Sequence, residues 1–136
     1  MPTTVIASET VPIRSSEDVV RVRSRVRALA ISLGLGIVDQ TKIVTAASEL
    51  ARNTLDYGGG GEARLDIVEA GTRRGLRIAF EDHGPGIADI GLALTDGYTT
   101  GGGLGLGLSG AKRLSNEFEI TSVPGKGTCV VITRWK

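Results

Sequence analysis

The sequence predicts an α+β fold, a two-layer sandwich with a mixed, mostly antiparallel sheet and its helices gathered on one face. Three observations predict it. Apolar residues recur at helical spacing in three segments and alternate with polar ones in five. Two pairs of consecutive strands are separated only by short glycine-bearing turns, as antiparallel neighbours are. The order is strand, helix, helix, strand, strand, long loop, helix, strand, strand, with no internal repeat or linker, so residues 1–136 are expected to form one domain.

From Thr4 to Ile13, Val5, Ala7 and Val11 alternate with polar residues, giving the first strand. Ser15, Ser16, Glu17 and Asp18 then supply caps and early acidic residues for a helix. Its apolar stripe is Val19, Val22, Val26, Leu29, Ala30 and Leu33, ending at Gly34. Arg21, Arg23, Arg25 and Arg27 divide at about 100° per residue into two pairs flanking that stripe. They read as edge arginines that lay their stems over apolar surface, or as a partner-binding face. Asp39 is the expected N-cap of a second helix reaching Tyr57, with Ile43, Ala46, Ala47, Leu50 and Thr54 inward. Four glycines end it. Leu65 and Ile67, then Leu76, Ile78 and Phe80, mark two strands around a turn at Gly71 to Gly75. Between Gly84 and Gly103 neither period is clean, although Ile90 to Leu94 suit a short helical turn. A loop this long in a small domain is usually functional or disordered. A third helix is expected over Leu106 to Phe118, followed by strands at Glu119 to Val123 and Thr128 to Trp135.

Sixteen basic residues against fifteen acidic ones leave a net charge of +1, so no whole-molecule field draws the protein to nucleic acid or anionic lipid. The single cysteine, Cys129, cannot form an intramolecular disulfide, and no secretory leader is visible, so a cytoplasmic location is expected. No apolar run approaches the roughly 18 residues of a membrane span. The twenty glycines are clustered, at Gly58 to Gly61 and from Gly84 to Gly110, which places special backbone conformations or close approaches in those two regions.

Three constellations are candidates for chemistry. Glu49 and Asn53, four residues apart, share one helix face at the border of its apolar stripe. A carboxylate there can order a hydroxyl while an amide oxygen ligates magnesium, but the same pair also suits an ordinary solvated helix edge. In Glu81-Asp82-His83-Gly84-Pro85-Gly86-Ile87, an aspartate at a strand end stands beside glycine backbone that a flat ligand can approach. This geometry suits an adenine amino group, and these residue types also make plain turns. Gly101-Gly102-Gly103-Leu104-Gly105-Leu106-Gly107-Leu108 leads into a helix, and successive backbone N–H groups with the helix N-terminus form a phosphate cradle. A flexible linker rarely interleaves leucines so regularly.

Other motifs are excluded. Gly105 to Gly110 matches G-x-G-x-x-G, yet no strand immediately precedes it and no acidic residue follows about 20 positions on; a P-loop is absent. His83 and Cys129 are single copies, so zinc ligation by a His/Cys cluster has no material. Trp135 and Tyr98 read as packing or interface residues.

The order of these elements is more specific than any one of them. Glu49 and Asn53, Asp82 to Gly86, Gly101 to Gly107, and Gly125-Lys126-Gly127-Thr128 resemble the successive boxes of the GHKL, or Bergerat, nucleotide-binding fold. DNA gyrase, the Hsp90 chaperone, histidine kinases and mismatch-repair ATPases share it. The resemblance covers nearly the whole chain. Ser48-Glu49-Leu50-Ala51-Arg52-Asn53, Asp96-Gly97-Tyr98-Thr99-Thr100-Gly101-Gly102 and Lys112-Arg113-Leu114 further resemble the small serine/threonine kinases of bacterial partner-switching systems, in particular the stressosome switch kinases.

That resemblance implies a histidine-kinase-like ATPase fold using ATP and Mg2+. Asn53 would ligate magnesium, Asp82 would bond the adenine amino group beside Gly84 and Gly86, and Thr128 would support that contact. Gly101, Gly102, Gly103, Leu104, Gly105, Leu106 and Gly107 would wrap the phosphates, and Glu49 would position or deprotonate the attacking serine hydroxyl. The implied partners are a STAS-domain antagonist protein as substrate, a PP2C-type phosphatase activated after release, and a stressosome complex, with neither nucleic acid nor membrane. The alternative is an anti-sigma factor kinase that sequesters a sigma factor and phosphorylates an anti-anti-sigma factor. Tyr57 departs from the pattern, since many relatives carry histidine four residues after the magnesium asparagine.

Overall fold

A computed structural model describes residues 2–94 and 104–136, the side chains of 104–107 excepted. The elements are β1 (Thr4–Ile13), α1 (Ser16–Ser32), α2 (Ile37–Asp56), β2 (Gly61–Ala70), β3 (Arg73–Asp82), α3 (Ile90–Ala93), α4 (Leu104–Arg113), β4 (Glu117–Val123) and β5 (Gly127–Trp135). The sheet order is β1-β2-β3-β5-β4. Every pairing among the described residues is antiparallel, so the sheet expected to be mostly antiparallel is so throughout. The chain leaves β3 through α3 and α4, returns as the edge strand β4, and turns back as β5 to fill the gap beside β3.

The helical layer covers one face of the sheet. Val19, Val22, Val26 and Ala30 of α1 and Ile43, Ala46, Ala47 and Leu50 of α2 are buried against Leu65, Leu76, Ile78, Phe80 and Ile132. These are the stripes read from the sequence, and each large aliphatic or aromatic side chain so buried stabilises the fold by about 1.5–3 kcal/mol. The opposite face is open and polar. On it the buried Asp66 carboxylate accepts from Ser8 Oγ at 2.6 Å and from Arg64 Nε at 3.2 Å.

Local chemistry sets the helix ends. Ser15 is the extended N-cap residue of α1 but makes no side-chain cap bond. Instead Asp18 accepts the Arg14 N–H at 2.8 Å and pairs with Arg21 at 2.7 Å, so one carboxylate satisfies the entering chain and a charge on the next turn. Asp39 is not the N-cap of α2. That position is Gly36, and Asp39, in the first turn, pairs with Arg134 of β5 at 2.7 Å. Arg134 also donates to the Leu114 carbonyl at 3.2 Å, tying the start of α2 and the end of α4 to the sheet. The last helix ends at Arg113, short of the expected Phe118. The Asn116 N–H donates to the Thr133 carbonyl at 2.9 Å, drawing the chain into β4, where Phe118 lies opposite Ile132.

The arginines of α1 divide as their spacing implies. Arg21 and Arg25 are held by Asp18 and Glu9, while Arg23 and Arg27 border an open groove beside Ser24. Arg25 grips Glu9 of β1 through Nη2 to Oε1 at 2.7 Å and through Nε, shared between Oε2 at 3.0 Å and Oε1 at 3.3 Å. Those hydrogen bonds, aided by the guanidinium charge and opposed by desolvation, hold the Glu9 carboxyl below its ordinary range. A depressed carboxylate contributes stability above its unfolded pKa and loses it as pH falls through the folded value. The pair is partly exposed and its contribution is small. Glu9→Gln is therefore expected to cost little at neutral pH and to flatten the acid limb of the stability profile, as followed by urea midpoints from pH 7 down to about 3.

Candidate functional site

One end of the sheet, the end of α2 and the start of the β3–α3 connection meet around a small cavity. Its walls are Leu50, Asn53, Thr54 and Tyr57 of α2 and its C-cap, Phe80 and Asp82 of β3, Thr128 and Val130 of β5, Ile87 of the loop, and Leu108 of α4. About 20 Å³ is free inside, room for roughly one water molecule. A larger hollow of about 330 Å³ lies on the open sheet face among Arg64, Arg77, Glu117, Glu119 and Trp135. It shares no residue with the cavity, and convergence of polar groups with apolar walls, rather than size, marks the smaller one as the site.

Asp82 is the last residue of β3 and lies opposite Thr128 of β5. Its Oδ1 accepts the Gly84 N–H at 2.9 Å, which fixes the carboxylate. Its second oxygen has no hydrogen-bond partner among the described residues. Gly58 is required beside it, because a Cβ there would overlap the Asp82 side chain. The loop then turns at Gly86, whose φ of +75° and approach to the Val123 carbonyl, 2.5 Å from any added Cβ, both demand glycine.

Ser122 of β4 holds this corner. Its Oγ accepts the Ile87 N–H at 2.7 Å, bonds the Gly127 carbonyl at 3.1 Å, and lies 2.9 Å from Thr128 Oγ1. Thr128 is thereby oriented toward the cavity it lines. Asn53 supplies the other polar wall. Its side-chain Nδ2 is buried and has no hydrogen-bond partner among the described residues, a costly condition for a buried donor. The amide so placed puts a donor and an acceptor atom at the cavity wall, and an amide oxygen is a ligand type that hard cations take.

Asn53, Asp82 and Thr128 therefore line one cavity, with Gly84 and Gly86 in the adjoining loop. Leu104, Gly105, Leu106 and Gly107 form the first turn of α4, whose next residue, Leu108, also lines the cavity. Gly101, Gly102 and Gly103 lie outside the described residues, as do Tyr98 and its neighbours from Asp96 to Thr100. Glu49 is exposed one turn before Asn53, outside the cavity walls and without a partner among the described residues.

Motif reading marks Tyr57 only as a departure from the family pattern and gives the apolar walls and Ser122 no place in the site. The spacing of Leu50, Asn53, Thr54 and Tyr57 does carry a signal, because residues at 0, 3, 4 and 7 share a helix face. Alternation likewise puts Phe80 with Asp82, and Val130 with Thr128, on one face of the sheet. Ser122 depends on the register of β4 with β5 and on the loop folded beside them, which no local pattern shows. Two reactive types stand apart. His83 points into solvent 3.8 Å from Glu81, and burial, reinforced by Glu81, pushes the Cys129 thiol up, away from a nucleophilic thiolate. Trp135 packs under Arg73, 5.1 Å from its ring centre, and its indole N–H donates to Glu117.

Comparison with known proteins accords with this geometry. Residues 38–136 match the Histidine kinase-, DNA gyrase B-, and HSP90-like ATPase family. The chain is 46% identical over 125 residues to serine/threonine-protein kinase RsbT of Bacillus subtilis, covering 92% of this chain and 94% of that protein. It is 32% identical over 118 residues to the anti-sigma F factor of Thermoanaerobacter sp. (strain X514), covering 83% of this chain and 82% of the other. Among solved structures, the RsbU and RsbW domains of a Mycobacterium tuberculosis protein share the fold, with a TM-score of 0.61 at 18% identity over 98% of this chain and 32% of that one. The SiaB-SiaC complex from Pseudomonas aeruginosa does so with a TM-score of 0.55 at 16% identity, over 97% and 91%. The ordered boxes, the meeting of Asn53, Asp82 and Thr128 at one cavity, the family match and the 46% identity over nearly the full length give one conclusion: the chain belongs to the histidine kinase-, DNA gyrase B- and HSP90-like ATPase family, and within it to the serine/threonine-protein kinases of the RsbT type.

Proposed function

We propose that the chain, acting as one cytoplasmic kinase domain, transfers the γ-phosphoryl group of ATP to a serine of a small STAS-domain antagonist protein. Once released from that protein it binds and activates a PP2C-type phosphatase, as part of a stressosome-type switch. The observation that carries the nucleotide half of this reading is that Asn53, whose buried Nδ2 has no partner among the described residues, and Asp82, one of whose oxygens has none there either, line one cavity with apolar walls.

Each residue then has a task. Asp82, fixed by Gly84, accepts from the exocyclic amino group of adenine, and Thr128, oriented by Ser122, supports that edge. Leu50, Phe80, Ile87 and Val130 enclose the base. The glycine-rich segment from Gly101 to Gly107 wraps the phosphates, with first-turn N–H groups of α4 contributing positive potential. Asn53 holds Mg2+, which when bound neutralises phosphate charge. No cluster of three or more His, Cys, Asp or Glu side chains exists among the described residues, so the cation would rely on Asn53, phosphate oxygens and water, a set that suits magnesium. Glu49, exposed on the same helix face and without a partner among the described residues, orients the acceptor hydroxyl and takes its proton. Because phosphoryl transfer needs mainly positioning and charge neutralisation, few residues suffice.

Asn53→Ala should reduce magnesium-dependent ATP affinity by about tenfold or more while leaving metal-free nucleotide binding nearly unchanged, as read by calorimetry with and without EDTA. Labelled ATP, magnesium and candidate STAS proteins test the kinase reading itself, and absence of label on every acceptor despite ATP uptake would refute it. The identity to an anti-sigma F factor favours a second reading, sigma-factor sequestration. Recovery of a sigma subunit in stoichiometric complex with the purified chain would select it. No described helix is long and apolar enough to cross a membrane.

A further inference from the structure

We infer that Tyr57 is a positioning residue for purine recognition, in that its hydroxyl sets the width of the nucleotide cavity and thereby the preference for adenine over guanine. The inference rests on the nucleotide site proposed above and adds a residue to it.

The loop from Gly84 to Ile87 is held from three directions by three consecutive residues. The Pro85 carbonyl accepts the Gly125 N–H at 2.7 Å, which ties the loop to the β4–β5 turn. The Ile87 N–H donates to Ser122 at 2.7 Å, which ties it to β4. Between them the Gly86 carbonyl accepts from the Tyr57 hydroxyl at 3.2 Å. The first two bonds pull toward the sheet edge. Tyr57 makes the hydrogen bond from this stretch to α2, and both Tyr57 and Ile87 line the cavity.

Tyr57 is itself rigidly placed. It is the C-cap residue of α2, and the Asn53 carbonyl accepts the N–H of both Tyr57, at 3.0 Å, and Gly58, at 3.1 Å. The turn that carries Asn53 is thus coupled through one phenol to the loop that carries Ile87, and both residues line the cavity. The space free inside fits about one water, so the walls must part to seat a purine, and the tie between the loop and α2 bears on how far they part. Losing the hydroxyl leaves the loop held only from the sheet side, free to move away from α2. Adenine would then be gripped less closely, and the wider slot would tolerate the different edge of guanine, whose rejection depends on a fixed Asp82 and a fixed opposing wall.

Tyr57→Phe removes the hydroxyl and keeps the ring. By calorimetry its ATP affinity should fall about three- to tenfold, the range for one lost hydrogen bond. The ratio of ATP to GTP affinity should narrow by a similar factor. In phosphotransfer the loss should fall on KM for ATP, with turnover at saturating ATP retained. A merely structural role would lower the folded fraction and leave the ATP-to-GTP ratio untouched, so the ratio decides even if Phe lowers the melting temperature. Wild-type ATP affinity and ratio in Tyr57→Phe, alongside lost binding in Asp82→Asn, would overturn this inference alone. Failure of the wild-type protein to take up ATP would overturn both it and the nucleotide site.

Discussion

Asp82→Asn is expected to weaken ATP binding by roughly ten- to a hundredfold, one of the two largest effects of any single conservative change in this chain. The argument is one of hydrogen-bond directions. The wild-type carboxylate offers two acceptors, of which Oδ1 is taken by the Gly84 N–H at 2.9 Å. The other oxygen has no partner among the described residues and is the one the proposed adenine contact uses. An asparagine of the same shape keeps one acceptor and turns the other position into a donor. If the amide oxygen stays on Gly84, its NH2 confronts the adenine amino group. If the amide flips, it confronts the Gly84 N–H and the loop loses its anchor. Either orientation sets two donors against each other in a cavity with little room for water. Calorimetric titration with MgATP reads the loss, and an unchanged far-UV spectrum and melting temperature locate it in recognition rather than folding. Affinity within threefold of wild type would remove Asp82 from the adenine contact.

The reading of the sequence succeeded where a period or a special backbone conformation dominates. The α1 and α2 stripes were legible because Val19, Val22, Val26 and Ala30, and Ile43, Ala46, Ala47, Leu50 and Thr54, are buried, with Leu29 and Leu33 partly buried beside them. Gly84 and Gly86 were legible because a side chain at either position would collide with neighbouring backbone. The errors lie where a distant partner decides. Asp39 has the chemistry of an N-cap, but Arg134, 95 residues on, claims its carboxylate from within the first turn. The end of α4 moved to Arg113 because Thr133 captures the Asn116 N–H, an interaction set by the register of β4 with β5. Ser122 escaped notice for the same reason. Its three bonds run to residues brought together only by that strand pair and the loop beside it.

Glu49 tests whether binding and chemistry are separable on one helix. Glu49→Gln should leave ATP affinity within about twofold of wild type, because the side chain is exposed and absent from the cavity walls. Phosphotransfer should nevertheless fall by about 10²- to 10⁴-fold, the usual contribution of a general base. The geometry makes the separation plausible on energetic grounds. Four residues along α2 place Glu49 roughly one turn, about 6 Å of rise, from Asn53, on the same face but nearer solvent, where an incoming serine can reach it. Glutamine preserves length and hydrogen bonding, so a group that only orients the hydroxyl would retain most of its effect, whereas one that accepts the proton would not. Single-turnover transfer with pre-bound MgATP separates the two. Parallel loss of ATP binding and transfer would place Glu49 in the nucleotide site. Retention of full transfer would assign proton removal to the solvent or to the acceptor protein itself.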